Sequence, residues 1–190
     1  MTDFIENTRD QLIKTLEHTV QTEGKVVQQI AESISLAIGA GHKLLLCGNG
    51  GSAADCQHIA AEFVNRFRME RSPLPAVALT TDTSILTAIS NDYSFDEVFE
   101  KQVQALGQQG DVLLSISTSG RSENILRALK AASHRGLSTV GLTGVNGDKM
   151  APLCDHLLRV QSDDTPRIQE VHIFLGHLLC DLVERMLFGR

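Results

Sequence analysis

The sequence predicts an α/β fold, a largely parallel sheet with helices on both faces. Two observations predict it. Four short apolar runs, KLLLC (43–47), AVAL (76–79), DVLLSIS (111–117) and STVGLTG (138–144), alternate with stretches whose apolar residues recur every three or four positions. Alternating strand and helix favours a parallel sheet covered on both sides. The first run also ends in a glycine-rich turn, CGNGGSAADC, and the third in a run of hydroxyls, STSGRS. Such loops, at the carboxyl ends of parallel strands, are where these folds bind ligands.

Taken in order, residues 1–40 read as a helical pair. Ile5, Leu12, Leu16 and Val20 keep helical spacing, and Val26, Val27, Ile30, Ile34 and Ile38 resume it after a break near Gly24. Gly39 and Gly41 end the second helix, and residues 41–190 then form the parallel core, with LLRV (157–160) as a candidate fifth strand. The last helix, from about Arg167 to Met186, carries a core stripe of Ile168, Val171, Leu175, Leu178, Leu179, Leu182 and Met186. Its second face, Gln169, Ile173, Gly176, His177 and Cys180, is neither strongly apolar nor charged, a composition suited to a pocket or a subunit interface. No repeat or linker divides the chain, so residues 1–190 are expected to form a single domain.

Composition narrows the function. A chain of 190 residues, 42% hydrophobic, is long enough for one well-buried core without disulfides or metal staples. The four cysteines form no CxxC pair and no charged-then-apolar leader is present, which points to the cytoplasm. No apolar run approaches the roughly 18 residues that span a bilayer. The formal charge of −6 argues against nucleic acid and anionic lipid as partners, so any phosphate must be held locally by amides and hydroxyls.

Gly48, Gly50 and Ala53 match the dinucleotide pattern G-x-G-x-x-G/A. That pattern also wants an acidic residue about 20 residues on, at the end of the second strand, and here the second strand ends near Thr80, with Asp82 beyond it. Glycines needed only for a sharp turn would explain Gly50 and Gly51 but not the flanking Asn49 and Ser52. The second loop separates these possibilities. Ser117, Thr118, Ser119 and Ser122 place four hydroxyls at the start of a helix, ENILRALKAASHR, more than an N-cap needs and suited to an anion. No G-x-S-x-G elbow supports a serine hydrolase.

The stretches CGNGGSAADCQHIAAEFVNRF, ALTTDTSILTAISNDYSFDEVFEKQVQALG, SISTSGRSENILRAL, GLTG and TPRIQEVHIFLGHLLCDLVE resemble the sugar isomerase (SIS) domain proteins, and among them the phosphoheptose isomerases. The resemblance covers most of the chain. It implies a parallel α/β sandwich, a homotetramer with active sites at subunit interfaces, and conversion of sedoheptulose 7-phosphate to D-glycero-D-manno-heptose 7-phosphate for the heptose of lipopolysaccharide core. It also implies substrate contacts at Asn49, Gly50, Gly51, Ser52, Arg66, Asn91, Asp92, Ser117, Thr118, Ser119, Ser122 and Gln169. One zinc ion per subunit is implied at His58, Glu62, Gln169 and His177.

Ketose and aldose interconvert by moving a proton between adjacent carbons, which needs a base, a carrier for hydroxyl protons and stabilisation of charge on oxygen. Glu62 is the expected base and His177 the expected acid. An ordinary role for Glu62 would be an exposed ion pair to Arg66, worth a few tenths of a kcal/mol. His58 and Glu62 at i,i+4 leave one helix face and can meet one ion. Gln169 and His177, roughly 12 Å apart along a helix axis, either both lean inward or come from different subunits. Related folds that bind a replication initiator, or sense sugar phosphates without turning them over, are the alternative. The Glu and His at positions 62 and 177 favour the enzyme. An arabinose 5-phosphate isomerase usually carries added regulatory domains, for which 190 residues leave no room. His18, His42, His134, His156 and His172 are expected to be surface or core residues.

Overall fold

In a computed structural model, which describes residues 1–189, the N-terminal segment is one helix, α1 (Thr2–Gly39), and not the pair expected from Gly24. The reason is where the glycine falls. Thr19, Val27, Ile30, Ala31 and Ile34 form one buried stripe that runs past it, while a Cβ on Gly24 would meet nothing within 4 Å. Gly24 thus stands outside the packed stripe, where it costs about 1 kcal/mol relative to alanine and interrupts no contact. Thr19 ties the middle of α1 to the sheet, its hydroxyl accepting the Gln161 amide at 3.1 Å.

Five parallel strands follow: β1 (Leu44–Gly48), β2 (Ala76–Ala78), β3 (Val112–Ser117), β4 (Ser138–Gly144) and β5 (His156–Val160), in spatial order β2-β1-β3-β4-β5. Between them lie α2 (Gly51–Val64), α3 (Thr83–Asp92), α4 (Val98–Leu106) and α5 (Glu123–His134), and α6 (Thr165–Phe188) closes the chain. Alternation along each strand sorts the layers. Leu44, Leu46, Val112, Leu114, Val140, Leu142, Leu158 and Val160 face α1, α2 and α6. Leu45, Cys47 and Leu113 face α4 and α5. The expected sandwich with helices on both faces is therefore the observed one, with a shorter second strand and a longer last helix than the sequence patterns suggest.

Strand order reverses between β1 and β3, which are neighbours in the sheet although α2, β2, α3 and α4 lie between them in the chain. That reversal leaves a crevice at the carboxyl ends of the two strands. Both loops singled out in the sequence open onto it.

Candidate active site

Pairing of Gly48 with Ile116 sets the two loops side by side. Gly50, at φ +55°, supplies the turn that only glycine adopts freely. Gly51 has another duty: a Cβ there would lie 2.7 Å from the Gln169 amide nitrogen. Asn49 and Asn124 exchange two amide hydrogen bonds, 3.0 and 2.9 Å, across the crevice. Asn124 is buried, and nothing in the sequence patterns marks it, because its partner lies 75 residues away.

α2 and α5 both start at this crevice, and neither N-cap residue, Gly50 or Ser122, bonds a helix amide through its side chain. Amides left open at two helix starts, with the favourable end of each helix dipole, suit a phosphate. The hydroxyls lie among them. Ser117 donates to Ser122 across 3.3 Å, and Ser119 Oγ accepts the Arg121 amide at 3.2 Å. Thr118 and Ser119 line a cleft of about 160 Å³ with Arg121, Asn146, Ser162 and Thr165. Ser52 is buried in the first turn of α2.

Two turns further along α2, the helix meets α6. Gly176 permits the approach, since a Cβ there would sit 2.7 Å from Ile59 Cδ1. On either side of that contact His58 and His177 bring their Nε2 atoms to 2.8 Å, one donating to the other. Glu62 Oε1 is 3.6 Å from His58 Nε2. The alternative ion pair from Glu62 to Arg66 is not formed; Arg66 is 3.4 Å from Glu70. Asp55 belongs to the same surface: burial raises its carboxyl above the usual range, while His58 and His177 pull it down. Spacing could have found it, because positions 55, 58 and 62 share one helix face.

The half of α6 that the sequence left unassigned is thus filled partly within the chain, by α2. Gly176 and Cys180 are buried, and Gln169, Ile173 and His177 are half-buried. Asn91 and Asp92 lie exposed at the end of α3 and bond each other at 2.8 Å. Among the described residues neither makes a hydrogen bond to the two loops.

Two imidazole nitrogens and a carboxylate are donors of the kind zinc takes, so His58, His177 and Glu62 fit the metal by chemistry. Gln169 stands about two turns back along α6, at Gly51. Among the described residues no three His, Cys, Asp or Glu side chains are grouped so as to hold a metal ion. One chain presents the histidine pair with a carboxylate at its edge.

The SIS domain family model matches residues 9–144, and the chain belongs to that family, among its phosphoheptose isomerases. It is 65% identical over 158 residues to the phosphoheptose isomerase of Nitratidesulfovibrio vulgaris Hildenborough, covering 83% of this chain and 76% of the relative. Against that of Clostridium acetobutylicum it is 52% identical over 192 residues, covering 100% and 97%. The solved phosphoheptose isomerase from Neisseria gonorrhoeae superposes with a TM-score of 0.91 at 45% identity, over 96% of this chain and 98% of that one.

Proposed function

We propose that the chain is an aldose-ketose isomerase that converts sedoheptulose 7-phosphate to a heptose 7-phosphate. The observation that carries this is the meeting of α2 and α6, which brings the Glu62 carboxylate and the His177 imidazole to the same nitrogen, Nε2 of His58. Kinship with phosphoheptose isomerases over most of the chain supplies the substrate.

In the reaction, Glu62 takes the proton from C1 of the open-chain ketose while O2 gains one, which gives a 1,2-enediol. Glu62 then returns a proton to C2 as the C1 hydroxyl loses its own and becomes the aldehyde, and His177 carries the hydroxyl protons. The net change moves one hydrogen from C1 to C2 and one proton from O1 to O2, with no redox partner. Open amides of α2 and α5, with Ser117, Thr118, Ser119 and Ser122, hold the phosphate. Asn49, Gly50, Gly51, Ser52, Arg66, Asn91, Asp92 and Gln169 are proposed to contact the rest of the sugar. Zinc, when bound, would polarise the carbonyl oxygen, and His58, Glu62, Gln169 and His177 are the residues proposed to hold it, one ion per subunit.

The product is proposed to supply lipopolysaccharide core heptose from the cytoplasm. In keeping with that, no helix among the described residues is long and apolar enough to cross a membrane, and all four cysteines are free. A homotetramer with sites at its interfaces is proposed too, because Phe4, Ile5, Ile13, Val20 and Leu36 are exposed along α1. Purified protein incubated with sedoheptulose 7-phosphate should produce the aldose by NMR; no aldose, with the sugar bound, would favour a sensor. Metal analysis of chelator-free protein should find zinc, and light scattering a tetramer.

A further inference from the structure

α2 ends at Val64, and the chain turns through residues 65–71 on its way to β2. One carboxylate holds that turn. Glu184 of α6, buried, accepts the backbone amides of Phe67 at 2.8 Å, Arg68 at 2.9 Å and Met69 at 3.0 Å, and the Arg71 Nε at 2.9 Å. Arg71 also reaches the end of α2, bonding the carbonyls of Phe63 and Glu62, each at 2.8 Å. A single buried ion pair therefore ties the backbone of Glu62 to the helix that carries His177.

What the turn presents as a result is the ring of Phe67, stacked on the His177 imidazole with centroids 5.5 Å apart and planes 19° from parallel. Buried ion pairs add little net stability compared with apolar replacements, but they fix geometry, since losing one partner strands the other charge. Here the geometry fixed is that of a flat apolar wall against one face of the imidazole. The same ring meets His58 edge-on, with centroids 5.0 Å apart and planes at 75°.

We propose that Phe67 is a positioning residue for His177: the Arg71–Glu184 pair holds its ring in place, and the ring holds the plane of the imidazole so that Nε2 points at His58 Nε2, the atom that Glu62 also approaches. This rests on the role given to His177 above. Phe67 is only half-buried, so its replacement leaves the main core in place.

The test compares Phe67→Leu, which keeps an apolar side chain but loses the flat face, with Phe67→Tyr, which keeps the face. Turnover of sedoheptulose 7-phosphate and the NMR signals of the His177 ring protons, assigned with His177→Asn, are measured for each. Phe67→Leu should lower kcat about tenfold with KM within about twofold, and the His177 signals should move as the ring current of Phe67 is lost. Phe67→Tyr should restore both. Equal kcat in Phe67→Leu and wild type, equal losses in the two variants, or a loss confined to KM overturns the proposal. If the wild type itself does not turn over this sugar, the assigned reaction fails, and the NMR comparison still decides: His177 signals unmoved in Phe67→Leu overturn the positioning role.

Discussion

Ser119 and Ser122 flank the start of α5, where unpaired amides face the crevice. In the proposed phosphate site both hydroxyls lie outside the core, so changing both to Ala should raise KM for the sugar phosphate about 10²-fold, as two charge-assisted hydrogen bonds of roughly 1.5 kcal/mol each are lost. A KM unchanged in a folded double variant would put the phosphate elsewhere. His172 is the opposite kind of residue, buried in α6 with Nε2 3.3 Å from the Thr143 carbonyl. Burial lowers its pKa from 6.5 to about 4, with the carbonyl pulling the other way. The unfolded chain therefore takes up a proton below pH 6.5 that the native state refuses, and the stability His172 contributes is present above 6.5 and lost as the pH falls toward 4. Between pH 6.5 and 5 urea titrations should show a loss of about 2 kcal/mol that is smaller in His172→Gln, whose amide can still donate to Thr143. An equal loss in that variant would assign the pH dependence to other groups.

At the scale of elements, the crossing of α2 and α6 makes the site, and Gly176 makes the crossing. Adding a methyl there drives it into Ile59, buried and 2.7 Å away, and overpacking of this kind costs about 1–3 kcal/mol. Gly176→Ala should lower both the melting temperature and kcat, and Ile59→Val, which removes the Cδ1 atom in the way, should recover part of each. A Gly176→Ala protein as active and stable as wild type would mean the helices can separate without harm. The strands, α2, α5 and α6 could be read from the sequence because their apolar spacing is local. What could not be read depends on contacts distant in sequence. Gly24 signals a helix break until one sees that the buried stripe of α1 passes it by. Asn124 and Glu184 look like ordinary helix positions until their partners, Asn49 and the turn after α2, are placed. Gln169 and His177 share a face of α6, yet one reaches Gly51 and the other His58.

For the molecule as a whole, the sheet order matters most. Because β1 and β3 are adjacent, the glycine-rich turn and the hydroxyl loop open onto one crevice, the proposed phosphate site, and because α2 leaves that turn directly, Glu62 is carried a fixed distance from it along a single helix. In the proposed mode of binding, one rigid element gauges the distance between the phosphate end and the acid-base end of the substrate. A sugar-phosphate sensor could share all of this except a requirement for Glu62 as a base. The most direct measurement is turnover of sedoheptulose 7-phosphate by the wild type and by Glu62→Gln in deuterium oxide, followed by NMR. Proton transfer through an enediol predicts deuterium at C2 of the aldose and a kcat lower by about 10² or more in the variant, with the sugar still bound. Wild-type turnover by Glu62→Gln, or an aldose without deuterium at C2, would contradict it.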